Sequence, residues 1–382
     1  MNIIFLDCTQ NYSYRFSAGN TKIKFLAKGL TELENLCTIH NGIIGYSKIK
    51  RTTFKKEDNI GNIITYPKRC TQLVSWILNL PALIKDLKKL HISNTQNWII
   101  LEAPDFHIFC IYVLLSRIFK YKIAVISHEW LPTIQSTHPI RKPLIKLYTK
   151  KFGYMVDCIL PISEFIIKHI QHFKKPYLKI PVIAEYDNLS TKEITKQDFF
   201  LYCVYAAYTR VIFKIIDAYS IFHNNNNKTK LKLILSGSPQ QIAIIQNYIR
   251  QKDLNSSIDI LHNIPYNQLF KLYQEALGLI IPLDPNSIQD HARFSQKIAE
   301  YLSSRTPLIS NNVGEIKYYF KDKQNIILCE YSVEGFVHAF NWVINNPIKA
   351  KRIGLSGYQM GSEQFNYQII CKKLNIFLKS FN

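Results

Sequence analysis

Arg293, Lys297 and Glu300 fall in the stretch RFSQKIAEYLSSRTPLISNN, residues 293 to 312. A loop ending near Ser295 feeds a short helix that carries Lys297 and Glu300, and the helix stops before Thr306-Pro307 and a strand, Leu308 to Ser310. A helix N-terminus exposes unpaired amides and the positive end of its dipole. A diphosphate placed there meets the backbone and side chains from Arg293 through Phe294 and Ser295 to Lys297. Glu300 lies one turn beyond Lys297 on the same face, where a carboxylate takes the two hydroxyls of a ribose. The same spacing describes a solvated Lys/Glu pair worth about 0.2–0.5 kcal/mol, so the surroundings decide between the two readings.

Those surroundings read as alternating strands and helices, the pattern of a parallel sheet with crossover helices. Strands are predicted at residues 2–7, 37–39, 63–66, 98–102, 122–127 and 158–162, with helices at 20–33, 70–90 and 106–119. A second series has strands at 199–204, 231–236, 258–261, 277–281, 307–310 and 326–328, with helices between them. The expectation is α/β with two doubly wound, Rossmann-like domains facing a central cleft. We place one at residues 1–185, the other at 186–360, and a helix over 361–382 packing back on the first. Ligands of such sheets sit beyond the carboxyl ends of the strands. His128 follows its strand directly, at that edge.

With 382 residues and 47% hydrophobic composition, the chain has enough apolar material for large cores, which excludes a small disulfide scaffold or a disordered tail. Lys and Arg total 48 against 27 Asp and Glu, a net charge of +21. Such a surface attracts nucleic acid, anionic lipid or phosphorylated small molecules, though abundant Ile, Lys and Asn also point to a compositional origin. No helix-turn-helix, zinc finger or RNP-like pattern supports nucleic acid. The eight cysteines are scattered without a CxxC pair and read as reduced core thiols. The N-terminus MNIIFLDCTQ runs straight into a strand with no basic leader, so the expected location is cytoplasmic.

The 293–312 stretch resembles the donor-binding motif of retaining GT-B nucleotide-sugar glycosyltransferases of the family 4 (group 1) type, often written PxKxxEYLAxGxPVI. The likeness extends upstream through IDILHNIPYNQLFKLYQEALGLIIP (258–282) and KLILSGS (232–238), and downstream through NVGEIKYYFKDKQN (312–325). In YTRVIFKIIDAY (208–219), Arg210 matches the family's basic residue that contacts the donor phosphates. In KIAVISHEWLP (122–132), His128 matches a histidine beside the reacting sugar; Glu129 follows it. Gly19, in SAGN (17–20), matches a glycine-rich turn beside the acceptor. The resemblance therefore implies a catalytic His128, donor binding by Arg210, Arg293, Phe294, Ser295, Lys297 and Glu300, and acceptor contacts by Gly19 and Glu129. One departure is plain: Ala292 stands where the family has its first glutamate, with Asp290 and His291 beside it.

What the resemblance implies is a metal-independent hexosyltransferase without cofactor. It would move a sugar from a nucleotide-diphosphate donor to a glycan or lipid-linked saccharide, with retention, in cell-surface polysaccharide biosynthesis. The segment RKPLIKLYTKKF (141–152) puts Lys142, Lys146 and Lys150 on one helical face and Leu144, Ile145, Tyr148 and Phe152 on another. This suits either an anionic membrane surface, making the enzyme peripheral at the inner face, or a solvated helix packed on its domain. The alternative function, motivated by Ala292, is a noncatalytic GT-B-like subunit of a glycan assembly complex.

Overall fold

A computed structural model describes residues 1–6, 18–46, 49–68, 71–102, 105–133, 141–186 and 195–381. The chain divides into two compact units. Residues 1–184, 292–296 and 365–382 form the first, and residues 185–291 and 297–364 the second.

The first unit begins with β1 (Asn2–Leu6), α1 (Ala18–Glu32), β2 (Leu36–His40), β3 (Thr53–Glu57), β4 (Gly61–Thr65) and α2 (Gln72–Leu90). It continues with β5 (Asn97–Glu102), α3 (Phe106–Ile118), β6 (Lys122–Ser127), α4 (Arg141–Met155), β7 (Cys158–Pro161) and α5 (Glu164–Ile170). The sheet order is β3-β4-β2-β1-β5-β6-β7. Every residue of β1, NIIFL, is buried, as a parallel strand covered on both faces requires. The chain turns outward from β1 to β2 and returns beside it as β5, so the strand order reverses between β1 and β5.

The second unit follows with β8 (Phe199–Tyr205), α6 (Thr209–Asn225), β9 (Lys230–Ser236), α7 (Pro239–Gln251), β10 (Ile258–Leu261) and α8 (Tyr266–Glu275). Next come β11 (Gly278–Ile281), α9 (Ile288–Ala292), α10 (Gln296–Ser303), β12 (Leu308–Ser310), α11 (Ile316–Tyr319) and β13 (Ile327–Leu328). Three helices complete the chain: α12 (Val333–Asn345), α13 (Pro347–Gln364) and α14 (Tyr367–Lys379). The six strands pair in parallel in the order β10-β9-β8-β11-β12-β13. This is the doubly wound order, with its reversal between β8 and β11. In α6 the spacing of Ile212, Ile215, Ile216, Tyr219 and Phe222 turns one stripe inward, onto Phe200, Phe336 and Phe340.

Both sheets are doubly wound and α/β, as the alternating pattern predicts. β3 is an addition. Its residues TFKKE carry no apolar alternation, and Phe54 is 65% exposed. It pairs antiparallel with β4 as a lysine-bearing edge, a composition that discourages further strand addition.

Within residues 361–382, α13 ends at Gln364 and α14 covers Tyr367–Lys379. In α14, Tyr367, Ile370, Cys371, Leu374 and Leu378 enter the first unit's core beside Ile3, Phe5, Ile23 and Leu26. Gly29 of α1 permits this approach, because a Cβ there would stand 2.6 Å from the Cys371 sulfur. In α4, Tyr148 and Phe152 also face inward. Their rings stack at 4.9 Å, and Tyr148 meets Phe109 at 5.1 Å, while Lys142, Lys146 and Lys150 are exposed. Among the described residues, no helix is long and apolar enough to cross a membrane.

Candidate active site

In the second unit the reversal between β8 and β11 places the segments that follow those strands side by side at the carboxyl edge. α6 follows β8 and brings Arg210; α9 and α10 follow β11 and bring Asp290, Lys297 and Glu300.

Arg210, the second residue of α6, is exposed and lines a hollow of about 440 Å³ with Thr209, Phe213, Lys214, Asp217 and Val333. α6 starts with no side-chain cap, so its first amides add to the positive potential there. Lys214 stands 4.7 Å over the ring of Tyr331. The Tyr331 hydroxyl is buried with no hydrogen-bond partner among the described residues. Burial pushes that hydroxyl up to about 12, with Asp284 and Asp290 adding and Arg210 opposing. Two cations and two carboxylates therefore act around one buried phenol.

Lys297 and Glu300 form a separate cluster and do not line the hollow that Arg210 borders. Glu300 is 4% exposed, so the pair is not the solvated one that its spacing also allowed. Burial pushes its carboxyl up to about 7, and the charge of Lys297 offsets part of that rise. Tyr266, Tyr273 and Tyr301 all feel the Glu300 charge, which raises each of them further after burial. Tyr301 accepts the Cys203 N–H at 3.3 Å, tying this cluster to β8.

Asp290 occupies the carboxylate place nearest the missing glutamate, and its Oδ2 accepts the Asp284 N–H at 3.0 Å, closing the loop after β11. Gly314, at φ +58°, lies against this loop: a Cβ there would come within 2.5 Å of the Asp290 carbonyl. This glycine turn is required by the backbone it touches.

Ala292 belongs to the first unit and is 0% exposed; its carbonyl accepts the Ser163 hydroxyl. Ser163 also caps α5 by accepting the Ile166 N–H at 3.2 Å. Arg293, Phe294 and Ser295 lie in the same short run of the first unit. Phe294 is buried, its ring 5.5 Å from Phe365, so its side chain serves packing. Arg293 and Ser295 are half-buried. Gln296 anchors the run by accepting the Ile183 N–H at 3.3 Å and donating to the Ile183 carbonyl.

The rest of the first unit's candidates stand at the carboxyl edge of its sheet. His128 follows β6 with a side chain 14% exposed, and its Nε2 lies 3.8 Å from Glu102 Oε1 at the end of β5. Burial, with the nearby charge of Lys22, holds the imidazole well below its ordinary value and hence neutral. Glu129 is exposed in the following bend. Gly19 lies in the first turn of α1, and a Cβ there would meet nothing within 4 Å. The fold does not require glycine at that position.

Sequence reasoning did not single out Lys22, Glu102, Lys214 or Tyr331. Glu102 carried a signal, ending its strand at the same edge as His128. Lys22 carried another, recurring at helical spacing with Leu26 and Leu30.

Residues 188–360 match the family of glycosyl transferases group 1. A 73-residue segment is 33% identical to the alpha-1,3/1,6-mannosyltransferase ALG2 of Dictyostelium discoideum, covering 19% of this chain and 17% of that protein. The chain thus spans about a sixth of that relative. Over its length it is similar in structure to sucrose-phosphate synthase of Thermosynechococcus elongatus, with a TM-score of 0.77, 14% identity, and 99% and 98% of the two chains covered. Anabaena HepE in complex with UDP gives a TM-score of 0.70 at 11% identity, with 100% of each chain covered. The architecture is GT-B, and the family match supports a glycosyltransferase.

Proposed function

We propose that this chain is a retaining, family 4-type glycosyltransferase. It moves a hexose from a nucleotide-diphosphate donor to a glycan or lipid-linked saccharide in cell-surface polysaccharide synthesis. One observation carries the reading: Glu300 is buried beside Lys297 next to the strand reversal of the matched domain, at a cost that a solvated surface pair does not bear.

In this reading Glu300 accepts hydrogen bonds from ribose hydroxyls, while Lys297 and Arg210 meet the diphosphate, with Lys214 beside Arg210. Arg293 and Ser295 adjoin Lys297 along the chain and complete the donor set, with Phe294 holding their loop. As the glycosidic bond breaks, negative charge grows on the leaving diphosphate, so these cations stabilise the transition state more than the ground state. They make a metal dispensable for that step. On the first unit, neutral His128 faces the reacting sugar, and Glu129 and Gly19 border the acceptor. The open space at Gly19 suits close approach of a ligand to the backbone. The lysine face of α4 lies toward anionic lipid, and the enzyme works at the cytoplasmic face of the membrane.

The noncatalytic reading is favoured by one fact: the position of the missing glutamate is sealed in a core, and neighbouring Asp290 already holds the Asp284 amide. A thermal-shift screen with UDP- and GDP-sugars, mannose among them, followed by assay of nucleotide release with and without EDTA, separates the two. The enzyme reading expects a nucleotide-specific rise in Tm and EDTA-resistant turnover. Binding without turnover across the panel would leave the scaffold, and no binding would remove both.

A further inference from the structure

The first half of α2 is polar inside and apolar outside. Ser75 and Asn79 are 0% and 3% exposed, whereas Val74 is 38% exposed, Ile77 and Leu78 are 53% each, and Ile84 is 37%. A helix packed on a core and bathed in water on its other side has the reverse pattern. Hydrogen bonds fix this rotation. Asn79 donates to the Ile43 carbonyl at 2.9 Å and to the Pro67 carbonyl at 3.0 Å, and Asp86 accepts the Tyr66 hydroxyl at 2.6 Å. Turning the apolar stripe inward would break all three bonds, so it stays outward.

α3 extends the stripe. The ring of its His107 meets Trp76 of α2 at 6.1 Å, and Tyr121, just past α3, donates to the Leu87 carbonyl at 2.8 Å, so the two helices lie side by side. On α3, Leu114 and Ile118 fall one turn apart and are each 59% exposed. α4 joins the other side of α3 through Tyr148 and Phe109 and shows its lysines outward. A single exposed apolar side chain is ordinary, but a row of them over two adjoining helices marks a surface that is covered in use.

Charge names the cover. The three helices hold nine lysines and arginines, among them Lys85 and Lys88 on the stripe's own face of α2, against one acidic residue, Asp86, which Tyr66 engages. An apolar row edged by cations suits a layer with hydrocarbon beneath and negative charge at its surface, which is an anionic bilayer. A second copy seated on the row would bring its own cations against these.

We propose that α2 and α3 seat this stripe in the boundary of an anionic lipid bilayer, about 5–10 Å deep, with the lysines of α2 and α4 at the headgroups. The stripe starts where α2 leaves β4, at the carboxyl edge of the first unit's sheet, so the seat brings that edge to the membrane. An acceptor carried on lipid then reaches the edge without leaving the bilayer. That consequence rests on the lipid-linked saccharide reading, whereas the seat rests on the stripe and its charges.

The test floats the full chain with vesicles of phosphatidylcholine, alone or mixed with phosphatidylglycerol, at low and high salt. The mixed vesicles should bind it, and less so at high salt. The double variant Ile77→Gln, Leu78→Gln should bind them about tenfold to a hundredfold more weakly. Its Tm should change little, since both side chains are exposed, and its affinity for a nucleoside diphosphate should stay unchanged. In Ile77→Trp, brominated acyl chains should quench the added indole, which attachment through lysines alone would not do. Three results overturn the seat: no binding to the mixed vesicles, wild-type binding by the double variant, or an unquenched Ile77→Trp. Self-association that the double variant abolishes, with no vesicle bound, overturns it in favour of a second copy. If vesicles bind through the stripe but no nucleotide sugar is bound or turned over, the glycosyltransferase reading fails and the seat stands. If turnover is present and the vesicles are ignored, the seat alone fails.

Discussion

At the carboxyl edge of its sheet the first unit buries a lysine, Lys22, and the second buries a glutamate, Glu300. Lys22 is pulled down to about 7 by burial, and Glu300 is pushed up to about 7 by the same cause. Each has an opposite charge nearby that offsets part of the cost: Glu102 for Lys22, Lys297 for Glu300. The difference lies in the remaining partners. Lys22 has a backbone carbonyl at 2.8 Å, a fixture of its own unit. Around Glu300 stand Lys297 and aromatic hydroxyls at an edge where a ligand is expected. The first charge is built in, whereas in the proposed function the second receives hydroxyl donors that arrive from outside.

The most severe way to break this contrast is to place a second carboxylate in the wrong core. Ala292→Glu restores the family's residue but buries it at a position 0% exposed, so it should cost at least about 3 kcal/mol and yield little folded protein. Urea denaturation measures this, and a stable, more active Ala292→Glu would refute it. Next, Arg210→Ala or Lys297→Ala should each weaken nucleotide-sugar binding by about thirtyfold to a hundredfold, seen by calorimetry. An effect at only one of them would show that the two clusters of the second unit do not serve one ligand.

The pH dependence sharpens the contrast further. A raised carboxyl pKa in the folded chain means that it binds protons more tightly than the unfolded chain. Glu300 therefore lowers stability as pH rises from about 4.5 to 7. A lowered lysine pKa means that the unfolded chain binds the proton more tightly, so Lys22 raises stability from about 7 to 10.5. Glu300→Gln should gain about 1–3 kcal/mol at pH 8 and nothing at pH 4 while losing nucleotide affinity. Lys22→Met should flatten the alkaline limb instead. Denaturation of each variant against wild type at fixed ionic strength isolates the two limbs. The smallest effect belongs to Gly19→Ala, which meets no neighbour and sits in a helix, so stability should rise by about 0.5–1 kcal/mol. If a ligand uses that space, affinity for the acceptor falls at the same time.

The strands were legible because β1, β8 and β11 are nearly unbroken apolar runs, and α6 because its isoleucines and aromatics keep helical spacing. β3 was not, since an edge strand of Lys55, Lys56 and Glu57 obeys solvent and not the core. At the site, Arg293 to Glu300 read as one motif, yet the anchors that sort it between two units are distant in sequence: Ile183 for Gln296, Phe365 for Phe294. The sequence placed Glu300 on the right helix face but left its burial open. Lys22 was hidden because its meaning depends on Glu102 and His128, which only the adjacency of β5 and β6 brings together.

The first unit's hydrophobic core is closed by α14, more than 180 residues downstream of the segment that ends at Ala184. A chain emerging from the ribosome therefore holds the inner face of α1 uncovered until Tyr367 to Leu378 have been made. Cutting after Ala184 would leave that face bare to water and prone to aggregate, whereas joining residues 365–382 directly to such a fragment supplies its missing cover.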